Sequence, residues 1–254
     1  MKEYLPIKPG EPCPEWWIPA QRDVNDLLVG CAEVFASNCR ATPNRQFPKD
    51  AVRRPVLLYN RGLGRDESTA FLRARQHGLV EVRPDSNFLI PNARECSKNL
   101  HLLSRNGDHF RVNNEALIHI GAYAELILDR GWKPSMLVFD PFFNKDALDL
   151  RGYAAPCEPK ANWRDGRITF VAEAKARVQG PDSADTLSNL FSAFEQLQKD
   201  QTAHVEDRHR RKWNEVVRIV AEHGKVEMLL VADGVRWWYE ARPTGTSVAL
   251  HRLL

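Results

Sequence analysis

The 254-residue sequence contains no run approaching about eighteen apolar residues, the length a membrane-spanning helix needs. Its opening, Met1-Lys2-Glu3-Tyr4-Leu5-Pro6, lacks the apolar core of a secretory signal. The expected location is cytoplasmic, with no membrane partner. Cysteine is scarce: Cys13, Cys31, Cys39, Cys96 and Cys157 are odd in number and form no C-x-x-C pair. That pattern excludes a disulfide framework and a zinc knuckle and fits a reducing compartment. Excess charge of one sign is lacking too. The formal net charge of +3 neither requires nor excludes nucleic acid, so the clustering of charge matters more than its sum. No internal repeat and no low-complexity segment is present, which removes solenoid architectures.

What is present centres on residues 147–177. Leu148-Asp149-Leu150-Arg151-Gly152-Tyr153 is followed by a polar loop to Gly166 and then by Ile168-Thr169-Phe170-Val171-Ala172-Glu173-Ala174-Lys175. The second run is apolar and partly β-branched and starts after Asp165-Gly166, so it predicts a strand buried on both faces of a β-hairpin. Strand side chains alternate, so Glu173 and Lys175 share a face and Ala174 takes the other. If the loop is centred near Ala161, Asp149 falls opposite Glu173, with Cβ atoms roughly 5 Å apart. Two converging carboxylates repel unless Lys175 or a cation compensates. A hard divalent ion held by carboxylate, backbone carbonyl and water is the natural solution.

The elements around this hairpin have a definite order. Residues 113–130 predict a helix with Leu117, Ile120, Ala124 and Leu128 on one stripe, ended by Gly131. Met136 to Asp140 is the next strand, then come the Asp149 and Glu173 strands. A helix follows over 185–204 and another over 207–222, ended by Gly224. Val226 to Val231 is a buried strand, Asp233-Gly234 a turn, Val235 to Glu240 its hairpin partner, and residues 248–253 an edge strand.

Upstream, residues 1–20 carry five prolines around Trp16-Trp17 and read as an extended arm. An Asp23-capped helix should bury Val24, Leu27, Leu28, Cys31, Val34 and Phe35. Residues 56–59 are apolar. A helix capped by Asp66 or Ser68 carries Phe71 and Leu72 and is stopped by Gly78. Leu79 to Val82 and Phe88 to Ile90 then form a small hairpin. This order looks like a winged helix with Arg65, Arg73 and Arg75 available to phosphates. A small helical domain with ordinary surface arginines reads equally well, and Asp66 and Glu67 would meet phosphates with like charge.

An Asp followed, across a loop, by Glu-x-Lys on the next strand resembles the PD-(D/E)XK nuclease superfamily. Asp149, Glu173 and Lys175 match its motif residues, and Leu148 stands where many members have proline. The resemblance covers roughly the last 140 residues in element order. It implies an α/β fold, a restriction-endonuclease-like core with a mixed sheet over 106–254, behind an accessory domain over 1–105. It implies divalent-metal-dependent phosphodiester hydrolysis with Mg2+ or Mn2+, on nucleic acid, with DNA as the expected substrate. A homodimer or a multi-protein system is left open. Asp149, Glu173 and the Ala174 carbonyl would hold the ion, and Lys175 would orient or deprotonate the water.

Many members add a glutamate from the preceding helix. The site lies about eight residues past Trp132, near 27 Å at strand rise, a depth that needs roughly sixteen to eighteen residues of helix before Gly131. This selects Glu115 over Glu125, although Gly121-Ala122-Tyr123-Ala124-Glu125 looks like the helix motif of archaeal junction resolvases. Asp140 is the rival metal acid. Gln196 or Gln198 matches a glutamine that several nuclease families turn toward the site. Arg208, Arg210, Arg211 and Lys212, with His209 among them, form a basic run before Trp213 that can track phosphates. Trp237, Trp238 and Tyr239 are expected to pack the sheet. A non-catalytic nucleic-acid-binding or subunit-interaction protein on the same fold is the alternative.

Overall fold

A computed structural model describes residue 15 and residues 17–40, 63–96, 100–106, 109–139, 148–156, 164–180, 185–245 and 247–253. In chain order these residues form α1 (Pro19–Arg40), α2 (Arg65–Gln76), β1 (Glu81–Val82), β2 (Asn87–Leu89), β3 (Glu95–Cys96), β4 (Leu100–His101), β5 (Leu103–Asn106), β6 (His109–Val112) and α3 (Asn114–Leu128). They continue as β7 (Leu137–Phe139), β8 (Leu150–Tyr153), β9 (Ile168–Ala174), α4 (Leu187–Lys199), α5 (Asp207–His223), β10 (Val226–Ala232), β11 (Val235–Thr244) and β12 (Ser247–Arg252). The proline-rich arm before Glu15, Trp16, the apolar residues 56–59 and Asp140 lie outside the described residues. Contacts divide the described residues into two units rather than at one cut near residue 105. The first draws on 1–89 and 99–124, the second on 90–98 and 125–254.

In the first unit α1 starts at Pro19, four residues before the expected Asp23 cap. Proline at the first helical position has its φ preset and lacks a donor that would be orphaned there anyway. The Gln21 carboxamide completes the start by accepting the Ile18 N–H at 3.2 Å. Val24, Leu28 and Cys31 are buried as their spacing requires. α2 is capped by the extended backbone of Gly64 with no side-chain bond, so Asp66 and Ser68 lie inside the helix instead of capping it. Gly78, at φ +66°, stops the chain in a conformation that favours glycine. The expected hairpin is present as β1 and β2, paired Glu81↔Leu89 and Val82↔Phe88, and β4 adds a third strand. α3 begins in this unit. Leu117, Ile118, Ile120, Ala122 and Tyr123 are all buried, so the stripe is wider than predicted and the helix is enclosed on most sides.

The second unit is built on a seven-stranded mixed sheet in the order β12-β11-β10-β9-β8-β7-β3, whose edge member is the two-residue β3. β7, β8 and β9 form an antiparallel meander. After α4 and α5 the chain returns in β10, parallel to β9, and β11 and β12 extend the sheet as antiparallel hairpins. β9 is therefore the pivot, flanked on both sides and buried at six of its seven positions. Its uninterrupted apolar run is what such a place demands. One face packs against α4 and α5 through Val171, Met228, Leu230, Leu190, Phe194, Trp213 and Val216. On the other, Phe170 lies between Trp132 and Trp238, with ring centroids 5.5 and 5.9 Å away.

The two helices differ from expectation at their ends. α4 starts at Leu187, because the Thr186 hydroxyl accepts the Asn189 N–H at 3.3 Å. It stops at Lys199, where Asp200 leaves helical geometry, instead of reaching residue 204. α5 ends at Gly224, φ +80°, as predicted. No helix among the described residues is long and apolar enough to cross a membrane.

Candidate functional site

Register decides which acids meet. β8 and β9 pair Leu150↔Ala172, Arg151↔Val171 and Gly152↔Phe170 before a bulge at Gly152/Tyr153. Extended by one residue, this ladder sets Asp149 opposite Glu173, the pairing that a loop centred near Ala161 requires. The bulge absorbs the irregularity on the loop side and leaves the Asp149 end in register. Asp149 and Glu173 each present a carboxylate oxygen within 4.8 Å of the other's. Asp149 is fixed by its Oδ2, which accepts the Ala174 N–H at 2.6 Å.

Glu173 is fully buried and Lys175 nearly so. The Lys175 ammonium lies 2.7 Å from Glu173 Oε1 and 3.4 Å from Asp185 Oδ2. A second ammonium arrives from α5, Lys212 Nζ standing 2.5 Å from the same Oε1. Both ammonium groups lie at hydrogen-bonding distance from this oxygen. Burial, then the Asp149 charge, push the Glu173 carboxyl above its ordinary range, while Lys175 and Lys212 pull it down. Two ammonium groups on one oxygen are the geometry of a carboxylate, not of a neutral acid. Against burial, which lowers it, the charges of Glu173 and Asp149 hold Lys212 above the usual lysine value.

Asp185 stands just before α4 and closes the Lys175 side. His209, buried on α5, brings Nε2 to 3.6 Å from Asp185 Oδ1. His209 first, then Lys175 and Arg208, hold the Asp185 carboxyl well below the ordinary carboxylate range against its partial burial.

Other sequence candidates are placed as follows. Glu115 stands in the first turn of α3, half-buried, in the first unit. Glu125 pairs with Arg236 at 2.8 Å, so the runner-up helix acid is occupied on its own side of the second unit. Gln196 is exposed on α4, whereas Gln198 Oε1 accepts the Leu250 N–H at 3.0 Å and ties α4 to β12. The basic run is divided. Lys212 turns inward, Arg210 donates to the carbonyls of Gln201 and Ala203 at 2.8 and 2.5 Å, Arg208 pairs with Glu206 at 2.6 Å, and Arg211 is exposed.

Sequence reasoning missed Asp185, His209 and the inward turn of Lys212. A signal for Lys212 and His209 was available, because buried His209, Trp213, Val216 and Val220 recur at helical spacing and Lys212 borders that stripe. None existed for Asp185, which reads as an ordinary acid before a helix.

Asp149 and Glu173, neighbouring carboxylates at the end of the β8–β9 ladder, are the residues that could hold a hard divalent ion. The chain matches no protein-family profile, no curated protein and no solved structure, so the site stands on its own geometry.

Proposed function

We propose that this protein is a divalent-metal-dependent nuclease that hydrolyses phosphodiester bonds, with DNA as substrate, on a restriction-endonuclease-like core. The observation that carries the reading is the register-enforced meeting of Asp149 and Glu173 beside Lys175. Asp149 and Glu173 would hold Mg2+ or Mn2+, with the Ala174 carbonyl. A strand residue projects its N–H and C=O to one edge, and the Ala174 N–H already points to Asp149. Glu115 remains in the proposal as the helix acid. When bound, the ion supplies a lowered water pKa and charge relief on the phosphate. Lys175, held between Glu173 and Asp185, orients the attacking water and keeps a positive charge facing the anionic substrate. Gln196 and Arg211, both exposed on neighbouring helices, are proposed to touch the substrate backbone, and the winged-helix reading of α2, β1 and β2 is proposed as a substrate-positioning element.

The test is incubation of the whole chain with plasmid, linear duplex and single-stranded substrates in Mg2+ or Mn2+. Wild type is expected to cut only with the divalent ion, and Asp149→Ala and Lys175→Ala to lose cutting by two or more orders of magnitude while retaining a cooperative melt. Equal cutting by the variants, or cutting in EDTA, refutes the assignment. Ion-independent binding to DNA without cleavage would favour the non-catalytic alternative.

A further inference from the structure

We infer that Lys212 occupies, on Glu173, the place a divalent ion would take, and that the ion displaces it. The inference rests on the metal-site reading above and concerns what the chain does before the ion arrives. Two carboxylates, Asp149 and Glu173, face two ammonium groups, Lys175 and Lys212, and Asp185 adds a third carboxylate on the Lys175 side. Both ammonium groups converge on the same oxygen, Oε1, at 2.7 and 2.5 Å. An ion on that oxygen brings two further positive charges to within bonding distance of both, where like charges repel strongly in a low-dielectric site. One ammonium has to withdraw.

The surroundings select which one. Lys175 is 3 % exposed and has a second anchor in Asp185 at 3.4 Å. Lys212 is 15 % exposed at its side chain and reaches in from α5 on a flexible four-carbon stem. The exchange breaks the 2.5 Å ion pair between Lys212 Nζ and Glu173 Oε1. Lys212 leaves as an ammonium ion and no proton changes hands. Withdrawn from Glu173, its ammonium moves to the more exposed side of the pocket, where a phosphate would approach. The residue thus guards the buried carboxylate in the empty protein and serves the substrate in the loaded one.

The test is Mn2+ titration of the full chain without nucleic acid, followed by calorimetry and by the loss of the free-ion electron paramagnetic signal. Wild type, Lys212→Met, Lys212→Gln and Arg211→Met are compared after each has shown a cooperative melt. Both Lys212 variants are expected to bind Mn2+ roughly tenfold more tightly, a change of about 1.4 kcal/mol. Arg211→Met, which removes the same charge one residue away, should stay within about twofold of wild type if contact with Glu173, and not bulk charge, is the cause. Unchanged or weaker binding in both Lys212 variants overturns the inference and leaves the metal site standing. An equal gain in Arg211→Met overturns it too. Absence of Mn2+ binding in wild type and variants alike removes the metal reading and the inference together.

Discussion

At the scale of single residues, the pocket is a problem of charge in a dry place. Glu173 is fully buried within reach of both Lys175 and Lys212, and removing one partner of a buried pair leaves the other uncompensated. Asp185 supplies a pH signature. Its folded carboxyl sits below the ordinary value of about 3.9, because His209, Lys175 and Arg208 favour its charged form. A depressed acid contributes stability above the unfolded pKa and loses it as pH falls through the folded one. The stability gap between wild type and Asp185→Asn should therefore be constant from neutral pH down to about pH 5 and narrow below about pH 4. Urea melts across that range measure it, and a gap that widens on acidification would contradict the assigned partners. The motif residues were legible because strand alternation and loop symmetry are arithmetic in sequence. Lys212 was not, since its partner lies on a different element and a basic run is read first as solvated surface.

At the scale of elements, close approach and capping set the frame that holds the acids in register. Gly152 in β8 leaves no room for a methyl group: an added Cβ would come within 2.7 Å of the Trp132 ring and 2.9 Å of Phe170 Cβ. Gly152→Ala should destabilise the unit by about 1–3 kcal/mol, as overpacking does. Denaturant midpoints at unchanged slope would show it, and a neutral effect would mean that Trp132 is not fixed there. Thr186→Ala should cost about 1 kcal/mol through the lost α4 cap. The helices and the strands β7 to β12 followed from periodicity and from Gly131, Gly224 and Asp233-Gly234, whereas the short strands β3, β4, β5 and β6 had no counterpart in that reading. The helix starts did not, because Pro19 and Gly64 outcompeted Asp23 and Asp66, the side-chain caps that composition favours.

At the scale of the whole molecule, the near balance of charge limits how strongly nucleic acid can be held. Each neutralised phosphate contributes a slope of about 0.9 in the salt dependence of affinity. With Lys212 on Glu173, Arg210 on carbonyls and Arg208 on Glu206, DNA affinity measured by anisotropy should fall with salt at a shallow slope. Arg211→Ala should reduce that slope by about one. A slope near ten would place the interface on surfaces other than α5. The domain division was the least legible feature, because the chain crosses between units at residues 89–99 and again within α3, and nothing in local composition marks a helix that two units share. The acid-bearing strand β9 has one neighbour close behind it in the chain and another, β10, that is made only after α4 and α5. A ribosome-bound or truncated chain lacking β10 would have its carboxylates without the Val231 carbonyl that receives the Lys175 amide, so the Lys175 end of β9 should become fixed only after β10 is made.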